Sequence, residues 1–379
     1  MSSPNALIDP SRLPERLAAL PGLDRVREAA ADTPAYLVGG AVRDLLLGRA
    51  RADIDVAVEG DVGALAERLG GAARAHERFA TATVRLDGLT VDLAATRAET
   101  YPRPGALPEV SPARLTDDLA RRDFSVNAMA VPLVGEAELI DPHGGLRDLK
   151  RGELRVLHPG SFRDDPTRAL RAARYAARYG FALERETAAL LRSADISTVS
   201  ANRVEAELRK LAAEPQARRG FELLCEWGLL ELGPAAPELI ESLSALVRGE
   251  PWASISRREE AVLAVALGRG TKEARELAAA EPARPSEAVE RARGRSGTEL
   301  ALARALGARW LDAYVSDWRH VRLEIDGRDL LAEGIQEGPA VGRGLAAALR
   351  AKLDGEVAGA NEELRTALAA ARENSSGSR

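Results

Sequence analysis

The sequence has little cysteine and few aromatic residues, and it has no long apolar run. Among its 379 residues is a single cysteine, Cys225, so a disulfide within the chain is excluded and a cytoplasmic setting is expected. Its four histidines form no cluster with cysteine, which argues against a zinc site. No apolar run approaches the roughly 18 residues that a membrane span needs. The N-terminus lacks a basic region followed by an apolar core, so we expect neither a membrane anchor nor a signal peptide.

The overall charge gives no sign of a nucleic-acid partner. The formal net charge is −5, so any binding to nucleic acid must depend on a local basic surface. Aromatic residues make up 4% of the chain, while Ala, Leu, Arg and Glu are abundant, which favours helix over most of its length. The length allows two or three domains.

Strand signals are concentrated in the first 150 residues, and helical periodicity dominates afterwards. The sequence predicts one helix over 12–31, a flexible Pro- and Gly-rich loop without regular structure over 101–112, and one helix over 163–179. Residues 269–297 are polar and contain two prolines, which indicates a loosely packed or partly helical connection. We therefore expect an α+β head followed by a long all-helical remainder.

The stretch from Tyr36 to Gly60 carries the strongest chemical pattern. An apolar strand leads into Gly39-Gly40 and Arg43, and a second strand carries Asp53 and Asp55 at alternate positions. Alternation puts both carboxylates on one face of the strand. Glycine lets backbone approach phosphate oxygens, and an arginine pairs with a triphosphate. The pattern therefore describes a divalent-metal and nucleotide-phosphate site, or otherwise an edge strand with solvated acids.

Carboxylates at this position suit magnesium. Nucleotidyl transfer needs charge neutralised on the attacking and leaving oxygens, which two Mg²⁺ ions about 3.5–4 Å apart achieve. Magnesium prefers hard oxygen ligands, so aspartate is the right residue type. Asp92 is a possible third acid, but it is more simply explained as a partner of Arg97.

Two further segments concentrate arginine. Arg121 and Arg122 precede Asp123 and could clamp ribose and phosphate, or equally form a surface ion-pair cluster. In the helix predicted over 163–179, arginines recur at helical spacing as a ridge; they are Arg168, Arg171, Arg174 and Arg178. The simplest interpretation of this ridge is a solvated charged face.

A more specific interpretation concerns Asp165 and Arg168. A carboxylate accepts from an exocyclic amine and an arginine donates to a ring nitrogen, so this pair matches the pairing edges of cytosine and adenine. Uracil and guanine present a carbonyl in place of the amine, and the site would reject them because its polar groups would stay unpaired. Under this interpretation the helix selects bases.

Four motifs together resemble a known family. They are YLVGGAVRDLLLGRARADID at 36–55, DDLARRDFSVNAMA at 117–130, DPHGGLRDL at 141–149 and DDPTRALRAARY at 164–175. In this order they resemble class II tRNA nucleotidyltransferases, a family of CCA-adding enzymes, their CC-adding and A-adding relatives and bacterial poly(A) polymerases. Two positions depart from the family pattern, since Asp164 and Asn202 stand where glutamate is usual.

The resemblance implies a polymerase-β-like head with a small mixed sheet, then a helical neck, body and tail that hold the tRNA acceptor arm. The implied segments are a head over 1–150, a neck over 151–215, a body over 216–310 and a tail over 311–379. It also implies site residues: metal binding and catalysis by Asp53 and Asp55, and nucleotide binding by Gly40, Arg43, Arg122, Asp165, Arg168, Arg171 and Arg174.

The leading expectation is template-independent addition of C, C and A to tRNA 3′ ends from CTP and ATP, with magnesium. A partial CC-adding or A-adding enzyme and a poly(A) polymerase are the alternatives, and the carboxylates disfavour a non-catalytic tRNA-binding protein. CC-adding relatives are expected to lack a flexible loop before the arginine motif. Residues 99–110 supply such a loop, which favours complete or A-only addition. The sequence leaves open the oligomeric state and the basic residues that grip tRNA.

Overall fold

The computed structural model describes residues 7–49, 53–70, 72–76, 80–86 and 89–373, with backbone only for Asp53, residues 72–76 and Leu89. The chain divides into two compact units, residues 1–229 and 230–379. Within the described ranges, no helix is long and apolar enough to cross a bilayer. The predicted division into head, neck, body and tail stays a prediction.

The first unit combines a mixed sheet with helices. Its strands are β1 Ala35–Val38, β2 Asp53–Val58, β3 Ala72–His76, β4 Thr81–Leu86, β5 Leu89–Ala95, β6 Arg97–Thr100, β7 Glu109–Pro112, β8 Ala130–Pro132, β9 Glu153–Leu154 and β10 Ala182–Leu183. Its helices are α1 Leu13–Ala18, α2 Leu23–Ala29, α3 Gly40–Leu46, α4 Val62–Leu69, α5 Leu115–Ala120, α6 Gly145–Arg151, α7 Ser161–Asp164, α8 Thr167–Tyr179, α9 Arg185–Leu190, α10 Ala201–Ala212 and α11 Ala217–Glu226.

The main sheet has six strands in the order β3-β4-β5-β2-β1-β8. Strands β2 and β5 run parallel, and the other neighbours are antiparallel. Along β2, Ile54 and Val56 are buried on one face while Asp55 is exposed on the other. On the face of Asp55, Ala57 packs against Leu119 of α5. That face is therefore covered at one end and accessible at the other, where the acid lies.

Two predicted helices are broken by proline. The helix expected over 12–31 is two helices, α1 and α2, with Pro21 between them, because proline cannot donate the helical backbone hydrogen bond. The helix expected over 163–179 is interrupted at Asp165, whose backbone is extended with φ −133° and ψ 93°. The residue before a proline avoids the helical region, and Pro166 follows directly. Both single-helix predictions are wrong.

The segment expected to lack regular structure is also partly ordered. Residues 109–112 form β7, which pairs with β6 as an antiparallel ribbon from Arg97 opposite Pro112 to Thr100 opposite Glu109. Pro112 ends the strand, a position where proline is tolerated. The prediction of an irregular stretch therefore holds for residues 101–108 and is wrong for the four that follow.

In the described residues of the second unit, every regular element is a helix. Its helices are α12 Ala236–Leu246, α13 Arg258–Ala266, α14 Thr271–Ala278, α15 Pro285–Ala292, α16 Gly297–Ala305, α17 Leu311–Ser316, α18 Gly327–Ala332, α19 Pro339–Leu353 and α20 Ala360–Arg372. The connection expected over 269–297 is the partly helical alternative, because it contains α14 and α15. Pro285 stands in the first turn of α15, where proline suits a helix. An α+β head followed by helices confirms the predicted fold class.

Candidate active site

The carboxylates of the candidate site lie on two neighbouring parallel strands. Asp55 of β2 is directly opposite Asp92 of β5, and both side chains are exposed. The hydroxyl of Thr83 donates to Asp92 Oδ1 at 2.6 Å. Arg97, the partner that the sequence suggested for Asp92, donates instead to Glu99 Oε1 at 3.0 Å. The simpler explanation of Asp92 is therefore wrong, and this residue is a neighbour of Asp55.

These acids form a donor set that fits magnesium. Two exposed carboxylates in one rung of a sheet supply the hard oxygen ligands that this ion prefers. The backbone of Asp53 lies opposite Thr90, two residues before Asp55, and its side chain is outside the described residues. Among the side chains that the structure describes, no group of three metal-binding residues is gathered. Metal binding by Asp53 and Asp55 stays a prediction.

The glycine turn lies against an arginine. Gly39 has a φ of +66°, which side chains rarely adopt, and a Cβ there would lie 2.5 Å from Arg122 Nη1. Only glycine allows Arg122 to approach the turn so closely. Gly40 begins α3, and Gly40 and Arg122 both line one cavity.

Arg43 is buried and engaged by protein groups. Its Nε donates to Asp44 Oδ1 at 2.9 Å, Nη2 donates to the Tyr179 hydroxyl at 2.5 Å, and Nη1 donates to Asn127 Oδ1. The guanidinium also lies over the Tyr179 ring, 4.4 Å from its centroid. Burial would lower its pKa, but Asp44 and the tyrosines raise it. Arg43 therefore ties α3 to α8, and its predicted contact with triphosphate stays a prediction.

The Arg121-Arg122-Asp123 motif forms ion pairs in the cavity wall. Arg121 and Arg122 both donate to the buried Asp118, at 2.6 and 2.9 Å. Burial would raise the pKa of Asp118, but these two arginines lower it. Arg121 also donates to Glu99 at 2.8 Å. The ion pairs expected for a surface cluster do form, but they orient cavity-lining arginines.

The arginine ridge of α8 is held by acids from distant parts of the chain. Arg171 Nε donates to Asp123 Oδ2 at 2.8 Å, and its Nη1 lies 3.6 Å from Glu207. Arg174 Nη1 lies 3.6 Å from Glu214, and its guanidinium is 4.6 Å from the centroid of Tyr175. The solvated charged face is therefore a wrong description of this ridge.

Asp165 and Arg168 lie side by side at the break before α8. Asp165 Oδ1 accepts from the backbone and hydroxyl of Thr167 and from Arg203 Nη2, at 2.6 to 3.1 Å. Within the described residues, the other oxygen, Oδ2, accepts no hydrogen bond. Arg168 is 4% exposed and donates to Ser161 Oγ at 2.5 Å and to the Arg121 carbonyl at 2.7 Å. Both side chains are thus fixed in orientation by the protein.

One cavity of about 660 Å³ brings most of the predicted residues together. Of the nine, its lining includes Gly40, Arg43, Asp55, Arg122, Asp165, Arg168, Arg171 and Arg174. Asp53 lies outside the residues whose side chains are described.

The sequence reasoning missed other lining residues, among them Asp118 and Tyr101. The spacing of Asp118 four residues before Arg122 could have indicated that ion pair. Tyr101 donates to Glu99 Oε2 at 3.0 Å, and burial raises its pKa to about 12. Its place in a Pro-rich stretch gave no signal.

Comparison with known proteins identifies the family. Residues 35–155 match the poly A polymerase head domain, and residues 180–239 match the probable RNA and SrmB-binding site of polymerase A. A CC-adding tRNA nucleotidyltransferase of Deinococcus radiodurans is 40% identical over 359 residues, covering 92% of each chain. An A-adding tRNA nucleotidyltransferase of Halalkalibacterium halodurans is 43% identical over 202 residues, 50% of this chain and 47% of that protein.

Solved structures agree with these relatives. The Thermotoga maritima CCA-adding enzyme complexed with tRNA is 29% identical, with a TM-score of 0.68 and 96% of both chains covered. A CCA-adding enzyme complexed with CTP is 28% identical, with a TM-score of 0.73, and the match covers 96% of this chain and 98% of that one. The fold is that of a polymerase head domain with a predominantly helical remainder. The chain belongs to the tRNA nucleotidyltransferase and poly(A) polymerase family.

Proposed function

We propose that this protein adds C, C and A to the 3′ ends of tRNA from CTP and ATP without a nucleic-acid template. The observation that carries the proposal is that one cavity joins Asp55 and Asp92 to arginines and to the Asp165/Arg168 pair. The CCA-adding enzymes of similar fold that were solved with CTP and with tRNA support the same substrates here.

In the reaction, the terminal 3′ hydroxyl of tRNA attacks the α-phosphorus of the nucleotide. The hydroxyl loses its proton, a new phosphodiester bond forms, and the bond between the α- and β-phosphates breaks to release pyrophosphate. Magnesium held by Asp53 and Asp55, with Asp92 as a third ligand, would stabilise charge on the attacking and leaving oxygens. The remaining steps of recognition depend on the protein's own side chains.

The arginines of the cavity bind the anionic part of the nucleotide. Arg122, Arg171 and Arg174 are preoriented by Asp118, Asp123, Glu207 and Glu214. Buried Nε groups of Arg122 and Arg174 have no hydrogen-bond partner among the described residues, so protein groups do not satisfy these arginines fully. Charge-assisted hydrogen bonds to phosphate oxygens are stronger than those between neutral groups.

Base selection depends on Asp165 and Arg168. Because Asp165 uses Oδ1 for its contacts within the protein, Oδ2 remains to accept the exocyclic amine of cytosine or adenine. Arg168, held at its Nη1 and Nη2 groups, donates to the neighbouring ring nitrogen. Uracil and guanine place a carbonyl oxygen opposite Oδ2 and would leave it unpaired.

A CC-adding activity is the second candidate. The Deinococcus radiodurans relative that matches along 92% of its length is a CC-adding enzyme. The segment that favoured complete addition, residues 99–110, is also not an open loop, because both of its ends belong to the β6–β7 ribbon. An enzyme with this activity would add the two C residues to tRNA and would not add the A.

The test uses purified protein and tRNAs that end at the discriminator base, at C and at CC, each with CTP or ATP. Complete CCA addition predicts that CTP extends the first two and ATP extends the third. No extension of the CC-ended tRNA with ATP would favour CC addition, extension of that tRNA alone would favour A addition, and long A tails would indicate a poly(A) polymerase.

Two variants test the assigned roles. We expect Asp55→Ala or chelation of magnesium to abolish all extension, and Asp165→Ala to admit UTP and GTP while lowering turnover. Thr167→Ser, which keeps a hydroxyl at the position that contacts Asp165, is the matched control and should retain the choice of CTP and ATP. Substantial extension by Asp55→Ala would contradict the proposed site.

A further inference from the structure

A small pocket in the second unit combines aromatic and apolar side chains. It has a volume of about 190 Å³ and lies between α15, α17, α19 and the 3-10 turn Trp318–His320. Tyr314 and Trp318 line it, both partly exposed, and Val289 and Leu349 add an apolar wall. Partly exposed aromatic rings beside an apolar wall are a surface against which a planar ring can stack.

All the charged residues that line this pocket are arginines. Arg293, Arg319 and Arg322 line it, and its lining includes no carboxylate. Arg322 is oriented by donating to the carbonyls of Arg319 and Val321, both at 2.9 Å. In the described part of the chain, the side chains of Arg293 and Arg319 form no ion pair or hydrogen bond. Three arginines without acids are a locally basic surface on a chain of net charge −5.

We propose that this pocket binds one unstacked nucleotide of the RNA substrate. Its base lies against Trp318 and the apolar wall, and Arg293 and Arg319 bind the flanking phosphates. Single-stranded nucleic acid is bound by this combination of aromatic platforms and basic side chains, and proteins recognise unpaired RNA bases in loops and bulges through stacking. An acidic peptide would bind the arginines but would leave the rings of Tyr314 and Trp318 without a stacking partner.

The inference rests on the proposed function, because it takes tRNA as the substrate, and it adds a site to it. The pocket lies outside the stretches that match the polymerase head, residues 35–155, and the RNA-binding site, residues 180–239. It also lies apart in sequence from the candidate active site, whose lining falls within residues 38–178. Changes to the pocket should therefore alter tRNA affinity and leave turnover at saturating tRNA unchanged.

The experiment measures the dissociation constant of the full-length protein for tRNA lacking its 3′ end at several salt concentrations. Trp318→Ala should weaken binding about tenfold, the loss expected for one stacked base, without changing the dependence on salt. Trp318→Tyr keeps an aromatic ring and should bind like the wild type. The double variant Arg293→Gln/Arg319→Gln should weaken binding and lower the slope of log K against log salt by about 1.4, or about 0.7 per lost phosphate contact.

Arg343→Gln/Arg350→Gln is the matched control. Both residues are exposed on α19 outside the pocket, and their side chains have no partner in the described part of the chain. An equal loss in this control, or normal binding by Trp318→Ala, would overturn the inference. A loss of tRNA affinity in the Arg293/Arg319 variant alone would show that this surface contacts phosphate and does not bind a base.

Two readouts separate this inference from the proposed function. If the wild type extends tRNA while Trp318→Ala binds it normally, only the pocket is wrong. If the wild type neither binds nor extends tRNA, the proposed function fails and this inference fails with it. Since the Arg293/Arg319 variant changes only side chains at the pocket rim, its result does not depend on whether Trp318→Ala folds.

Discussion

Asp123 is a buried acid that depends on its arginine partner. Burial alone would raise its pKa, but Arg171 and a hydrogen bond from Asn127 lower the pKa to about 2. Because the folded-state pKa lies below that of the unfolded chain, the ionised carboxylate stabilises the fold above about pH 4, the ordinary pKa of aspartate. This contribution is lost as the pH falls from about 4 towards 2.

The Asp123→Asn variant measures this contribution. The shift of nearly two pH units corresponds to about 2 kcal/mol. We expect the wild type to be more stable than Asp123→Asn at neutral pH, and the difference in free energy of unfolding to shrink by about 2 kcal/mol between about pH 4 and 2. Chemical unfolding at a series of pH values measures it. A difference that does not change with pH would contradict the assignment of this ionisation to Asp123.

At the scale of residues, the sequence predicted which side chains line the site better than it predicted their ion-pair partners. The spacing of Arg171 and Arg174 placed them on one ridge, as the structure shows. Their acids, Glu207 and Glu214, come from more than thirty residues later in the chain and could not be assigned from local spacing. The prediction that Asp92 pairs with Arg97 is wrong for the same reason. The sequence of neither β2 nor β5 alone shows that the two strands pair.

The β6–β7 ribbon is connected by a loop that is fixed to the helices by backbone contacts at Gly105. Its N–H donates to the Asp164 carbonyl at 3.2 Å, and its carbonyl accepts from Arg203 Nη1 at 2.8 Å. Gly105 has a φ of +69°, and a Cβ there would lie 2.7 Å from the Thr198 carbonyl oxygen. Tyr101 and Pro108 of the same connection line the active-site cavity. Docking at Gly105 therefore fixes one wall of the nucleotide site.

Substituting Gly105 by alanine should release this wall. The positive φ costs about 1 kcal/mol for any other residue, and the overlap with the Thr198 backbone adds about 1–3 kcal/mol. We expect Gly105→Ala to lower the free energy of unfolding by both amounts and to reduce kcat/KM for nucleotide addition. Gly135→Ala is the matched control, because Gly135 has a φ of +83° and no atom within 4 Å of a built Cβ.

Equal destabilisation by the two alanine variants would show that the close approach at Gly105 is not important. Unchanged kcat/KM in Gly105→Ala would show that docking of the ribbon does not shape the site.

At the scale of elements, the sequence predicted a long helical region and missed where helices break. The helical periodicity that dominates after the first 150 residues agrees with α10, α12, α13 and α20, because such periodicity is local. Two prolines within the predicted helices, Pro21 and Pro166, mark breaks in the structure, whereas Pro14 lies in the first turn of α1, where proline is tolerated. At residues 269–297 the polar composition allowed a partly helical connection but gave no sign of the buried faces of α14 and α15.

For the whole molecule, the division at residue 229 separates the nucleotide site from the second unit. Every residue that lines the candidate active site belongs to residues 38–178. We expect a fragment of residues 1–229 to fold and to bind ATP and CTP with dissociation constants within a few-fold of the full-length protein. Calorimetric titration measures these constants, with Arg168→Ala in the same fragment as the control that should bind weakly. A folded fragment that does not bind nucleotides would contradict this division.

The parallel pairing of β2 with β5 determines where the chain tolerates inserted residues. Asp55 and Asp92 meet because Ile54 is opposite Val91 and Val56 is opposite Leu93. Extra residues in the connections between these strands lengthen a loop at modest entropic cost. A single residue inserted within β5 just before Asp92 would instead turn that carboxylate to the apolar face of the sheet. Homologous chains should therefore differ in the length of the loops that join the elements between β2 and β5, while neither β2 nor β5 gains or loses a residue.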